Sequence, residues 1–78
     1  MTNIDLVDVT VHVHENLDKG GRERIETALR TIDGVVSVHN PDDRAHLYVV
    51  EYNPDKTSSH TILEYVRGQN VRAELVGL

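Results

Sequence analysis

The side chains of this chain best suited to chemistry are its five histidines and thirteen carboxylates, and several of them are grouped. His12 and His14 stand two residues apart, Asp42 and Asp43 are adjacent, Ser58-Ser59-His60 joins hydroxyls to an imidazole, and Lys19-Gly20-Gly21-Arg22 mixes glycine with positive charge. Imidazole and carboxylate suit Zn(II), Ni(II) or Cu(II), whereas a soft ion such as Cu(I) needs thiolate or thioether donors. The chain has no cysteine and Met1 is its one methionine, which excludes disulfides, thiolate metal sites and the usual way of carrying Cu(I).

The other groupings have simpler structural readings. Lys19-Gly20-Gly21-Arg22 could offer amides and charge to an anion, but it lacks the full phosphate-loop pattern and reads as a turn entering a helix. Ser58 and His60 lack a third catalytic group, and Ser58 is placed to cap a helix. Asp42-Asp43 follows Asn40-Pro41, where aspartate is favoured in a turn. No catalytic constellation emerges, and the chain is expected not to be an enzyme.

The elements that must position these residues follow from periodicity. From Asp5 to His14, Val7, Val9, Val11 and Val13 alternate with Asp8, Thr10, His12 and His14, the pattern of a strand with one buried and one open face. Ile25, Ala28, Leu29 and Ile32 then recur at helical spacing, with Asp18 as N-cap and Gly34 as the stop. Arg22, Glu26 and Arg30 fall on the outer face, with a favourable Glu26 to Arg30 pair. Val35–His39 reads as a second strand, Asn40–Asp43 as a turn and Ala45–Tyr52 as a third strand. A second helix buries Ile62, Tyr65 and Val66, and Val71, Ala73 and Leu75 make a last strand.

Two β-α-β units with right-handed crossovers give an α+β, ferredoxin-like βαββαβ sandwich. Its four antiparallel strands run in the order 4-1-3-2, with two helices on one face and the other face open. The expected core is Val9, Val11, Ile25, Leu29, Ile32, Val50, Ile62, Val66 and Leu75.

Seventy-eight residues suffice for a single domain, 1–78, with one modest core. No long apolar run or signal-peptide pattern is present, so a soluble cytoplasmic protein that avoids membranes is expected. A formal net charge of −5 argues against nucleic acid and is compatible with a protein partner. Protonating the histidines would bring the chain near neutrality at about pH 5 to 6, so solubility should fall in mild acid.

Ile25-Glu26-Thr27-Ala28-Leu29, Gly34-Val35-Val36-Ser37-Val38, Tyr52-Asn53-Pro54-Asp55 and Ile62-Leu63-Glu64 together resemble the heavy-metal-associated domains of copper chaperones and metal-transporting ATPases. The resemblance covers nearly the whole chain, and order and spacing carry it more than any one motif. It implies a first loop of the form Met-x-Cys-x-x-Cys. Here the methionine position falls on Asn16 and the cysteine positions on Asp18 and Gly21, so the scaffold looks retained and its thiolate site lost. The family's Gly-Tyr pair before the last strand falls on Asn70 and Val71, where asparagine can still take a left-handed turn.

The topology gathers His14, His39, His46, Asp18, Asp42 and Asp43 toward the pole of that loop. A replacement site for Zn, Ni or Cu(II) built from His14, His46 and Asp18 is therefore the alternative to a domain with no cofactor. Two points weigh against it. No His pair stands at i, i+4 on a helix, and the alignment turns Tyr48, Val50 and Tyr52 toward the helices, which would send His46 the same way, opposite to His14. His12 and His14, with backbones roughly 6 to 7 Å apart along one strand, would share a metal only weakly. With Leu47 and Val49 outward as well, His12, His14, Leu47 and Val49 form a slightly apolar open face suited to protein contact. The expectation is a small interaction or accessory module, monomeric or weakly dimeric, with a borderline-metal binder as the alternative.

Overall fold

The computed structural model describes residues 5–77. Its elements are β1 (Val7–Val13), α1 (Lys19–Arg30), β2 (Val35–His39), a 3-10 turn at Asp42–Arg44, β3 (Leu47–Tyr52), α2 (Ser59–Arg67) and β4 (Ala73–Val76). The strands form one antiparallel sheet in the order β2-β3-β1-β4, which is the expected 4-1-3-2 read from its other edge. Ile25 and Leu29 of α1 and Ile62, Leu63 and Val66 of α2 pack with the inward strand residues into one core.

Strand alternation builds both faces. Val9, Val11 and Val13 of β1 are buried beside Tyr48, Val50 and Tyr52 of β3, with Val11 opposite Tyr48 and Val9 opposite Val50. The intervening Thr10, His12, Leu47, Val49 and Glu51 therefore share the open face, with His12 opposite Leu47. A one-residue slip would exchange the two sets, so burial of the valines and tyrosines specifies the register.

The helix starts are capped as expected. The Asp18 carboxylate accepts the Gly21 N–H at 2.8 Å, and the Ser58 hydroxyl accepts the Thr61 N–H at 3.2 Å. Gly34 does not stop α1, which ends at Arg30 with Thr31 as C-cap, its hydroxyl donating to the Ala28 carbonyl at 2.6 Å. Gly34 instead begins the return into β2 at φ 103°, where an added Cβ would lie 2.7 Å from the Lys56 Cβ. Arg30 does not hold Glu26. Its guanidinium donates to the Val38 carbonyl at 3.2 Å, tying α1 to β2.

Strand limits are narrower than alternation suggests. Before β3, the Asn40 amide donates to the carbonyls of Ala45 at 2.9 Å and Leu47 at 2.7 Å, so a side chain satisfies the approach and pairing begins at Leu47. Asn70 takes the left-handed turn at φ 63°, and Val71 precedes β4. In α2, Val66 centres the buried stripe with Ile62 and Leu63, so Tyr65, about 100° round the helix from Val66, faces solvent. Leu75 packs at the core margin, while the rest of the expected core is buried and is joined by Val13, Val38, Tyr48, Tyr52, Leu63 and Ala73. The Tyr48 hydroxyl is buried without a hydrogen-bond partner among the described residues, and burial pushes its phenol pKa up, with Arg22 opposing and Glu26 adding to the shift.

Candidate functional site

Two surfaces hold the chemistry-bearing residues: the loop between β1 and α1, and the open sheet face. In the loop, Asn16 is exposed and Asp18 is engaged as the cap of α1. The two positions that the resemblance matches to cysteines are thus joined to each other, the Gly21 N–H donating to the Asp18 carboxylate. A shallow depression of about 320 Å³ beside them is lined in part by Leu17, Gly21, Arg24, Ile25, Asn70 and Val71.

Neighbouring polar groups are also committed to the fold. The Glu15 carboxylate accepts the Arg72 N–H at 2.9 and 3.1 Å and lies 3.4 Å from the Arg72 Nε, which fastens the end of β1 to the entry of β4. The Arg72 N–H is the main cause that holds the Glu15 pKa below its usual value, with desolvation opposing. Arg22 donates to the Asn40 side chain at 2.7 Å and its carbonyl at 3.0 Å, and pairs with Asp42 at 3.1 Å. Asp43 is exposed in the 3-10 turn, and His39 ends β2 opposite Val49.

The open face brings a different set together. His12 stands between Leu47 of β3 and Glu74 of β4, and its ring meets that of His14 edge-on with centroids 4.9 Å apart. One Glu74 carboxylate oxygen, Oε1, lies 3.3 Å from the His14 Nε2 and 3.9 Å from the His12 Nδ1. His12, His14 and Glu74 each offer a ligand atom, all within 4.8 Å of one another. The His12 Nδ1 is screened from solvent yet has no hydrogen-bond partner among the described residues.

His46 does not turn toward the helices as the resemblance implies. It precedes β3, and its ring stacks on that of His12 with centroids 5.8 Å apart. Its Nδ1 lies 2.7 Å from the Val13 carbonyl, which can only accept, so Nδ1 is the donor of this hydrogen bond. Of the set His14, His46 and Asp18, the structure brings the two histidines to the same side through His12 and keeps Asp18 at the helix cap. Glu74 was not among the expected ligands: strand order and parity put it on the open face beside β1, but only the β1–β4 register sets it opposite His12. Leu47 and Val49 are half-buried on this face, and Val76 lies opposite Thr10 at its β4 edge.

No family model matches the chain, and no curated protein matches it in sequence. Solved structures do match. Oxidized MerP from Ralstonia metallidurans CH34 superimposes with a TM-score of 0.84 at 16% identity over 94% of this chain and 100% of that one. The N-terminal domain of a potential copper-translocating P-type ATPase from Bacillus subtilis, solved Cu(I)-loaded, gives 0.80 at 24% identity over 90% of this chain and 86% of that one. The yeast copper transporter domain Ccc2a gives 0.80 at 20% identity over 90% and 94%. The chain therefore has the ferredoxin-like fold of these heavy-metal-associated domains, and it has it without a cysteine.

Proposed function

We propose that the chain is a non-enzymatic accessory module that keeps the scaffold of the copper-ATPase domains, has given up Cu(I) handling at the first loop, and acts through protein contact at its open sheet face. The observation that carries this reading is the hydrogen bond from the Gly21 N–H to the Asp18 carboxylate. Where the resemblance calls for two soft donors, there is a hard carboxylate already used to cap a helix, and a residue with no side chain. Contact is supported by the open face, where Leu47, Val49 and Val76 are flanked by His12, His39 and Glu74.

Cu(I) titrated against a strong competing chelator should stay with the chelator, and tight one-to-one retention by the protein would overturn the loss of soft-metal handling. Asp18→Cys with Gly21→Cys is the positive arm and should gain Cu(I). The contact reading is checked by sedimentation over a wide concentration range. The expected behaviour is a monomer that self-associates weakly, with association abolished by Leu47→Glu and Val49→Lys together. A tight dimer that survives the double variant would place the contact elsewhere.

A further inference from the structure

We infer that His12, His14 and Glu74 form a binding site for a single borderline divalent transition ion, Zn(II) foremost, on the open sheet face and apart from the first loop. Two imidazoles and one carboxylate are a donor set that zinc sites use with three protein ligands and a fourth position open to water. Pleat and pairing deliver this set here. His12 and His14 point to the same side of β1 because they are two apart, and antiparallel pairing sets Glu74 opposite His12.

The distances fit an ion. Tetrahedral coordination with bonds near 2.0 to 2.1 Å places ligand atoms ~3.4 Å apart. The His14 Nε2 and Glu74 Oε1 already stand at 3.3 Å, and the His12 Nδ1 is 3.9 Å from the same oxygen. The remaining separation is at most 4.8 Å, and both His14 and Glu74 are exposed side chains with room to close it. The same oxygen cannot serve as the only partner of both rings, since 3.9 Å is too long for a hydrogen bond and leaves the His12 Nδ1 unpaired and screened from water. An ion seated between the three side chains would give that nitrogen a partner. His12 is also held in place, stacked on the His46 ring that is itself fastened to the Val13 carbonyl.

The donor set excludes the soft Cu(I) chemistry of the loop and selects among Zn(II), Ni(II), Co(II) and Cu(II), with Cu(II) the strongest competitor on affinity. The inference goes beyond the contact reading and stands apart from it, because Leu47→Glu with Val49→Lys keeps all three ligands while changing the apolar part of the face.

The test is calorimetric titration of ZnCl2 into the full chain, with Co(II) absorption spectra as a second readout of coordination number. One Zn(II) should bind per chain, and Co(II) should give the intense visible bands of a four-coordinate site. His12→Gln, His14→Gln and Glu74→Gln should each weaken binding ~10-fold or more, with circular dichroism unchanged, while His39→Gln and His60→Gln should bind like the parent. Absence of Zn(II) binding at large excess would overturn the site, as would equal affinity in the three ligand variants. Loss of binding in Asp18→Asn and His46→Gln with Glu74→Gln unaffected would move the ion to the loop pole and equally overturn it.

Discussion

The loop pole and the open sheet face are neighbours built from the same strand, yet their polar groups are used in opposite ways. At the loop, Asp18 caps α1, Glu15 is tied to Arg72, and Arg22 is shared between Asn40 and Asp42. On the sheet face, among the described residues, the Glu74 carboxylate is approached by two histidines and a screened His12 nitrogen has no partner. Polar groups that satisfy one another hold a fold together, while groups left unsatisfied near a surface are the ones free to take a ligand. The polar groups of the loop pole serve the framework, whereas those of the sheet face keep donor atoms in reserve.

The strongest way to break this contrast is to remove its shared support. Leu29 is fully buried under α1, and Leu29→Ala should cost about 2 to 5 kcal/mol through lost burial and the cavity left behind. For so small a domain that is a large share of the total. Glu74→Gln, by contrast, should change stability by no more than about 0.5 kcal/mol, as surface substitutions usually do. Urea unfolding of both variants checks the pair, and a Glu74 variant as costly as the Leu29 one would mean that the sheet-face cluster is structural after all.

The loop half is sharpened by its cap. Asp18→Ala should cost about 0.5 to 2 kcal/mol by releasing the Gly21 N–H, and Asp18→Ser, which restores an N-cap acceptor, should recover most of it. Thermal unfolding of the two variants reads the difference. If Asp18→Ala were neutral while metal binding fell, the carboxylate would belong with the ligands and the contrast would fail.

Much of this was legible in the residues themselves. The unbroken alternation around Val9, Val11 and Val13 and the helical spacing of Ile25, Leu29 and Ile32 led directly to the strand order and most of the core, because one buried face leaves little freedom of register. Positions governed by a side chain reaching out of its own element were harder to read. Arg30 bonds to a carbonyl of β2, and Asn40 takes two carbonyls ahead of β3, which delays that strand to Leu47. His46 escapes the pleat for the same reason: it lies before the strand, where a bond to Val13 decides its direction. The His12, His14 and Glu74 group needs the pairing of β1 with β4 in its register, so periodicity within one segment could not show it.

A smaller effect separates two of the three side-chain groups that are screened from solvent without a partner among the described residues, the third being the Thr57 hydroxyl. The Tyr48 side chain is fully buried in the core, and an unpaired buried donor is a cost to the folded state. Tyr48→Phe should therefore leave stability unchanged or raise it by about 1 kcal/mol. The orphan nitrogen of His12, at the open face, should instead be the one that responds to metal. Chemical denaturation of Tyr48→Phe tests the first half, and a clear loss of stability would show that the phenol is satisfied and that the two groups are not alike.

The smallest expected effect concerns Glu15, which links the regions because it sits at the end of β1 and binds the residue before β4. Its folded-state pKa is lowered, chiefly by the Arg72 N–H. A group of that kind adds stability that is complete above the pKa it has when unfolded and is lost as pH falls through the lower folded value. The loss should therefore appear only in acid, from the ordinary glutamate range downward. Added salt should weaken the Arg72 guanidinium part, since that side chain is open to solvent and Glu15 is partly so. Glu15→Gln can still accept the Arg72 N–H but carries no charge, so its stability profile should be flatter than the parent's in acid and nearly level with it at neutral pH. Melting temperatures of the two proteins measured through the acidic range would check this. A parent profile no steeper than that of Glu15→Gln would remove Glu15 from the framework and leave the Asp18 cap as the main polar tie at the loop.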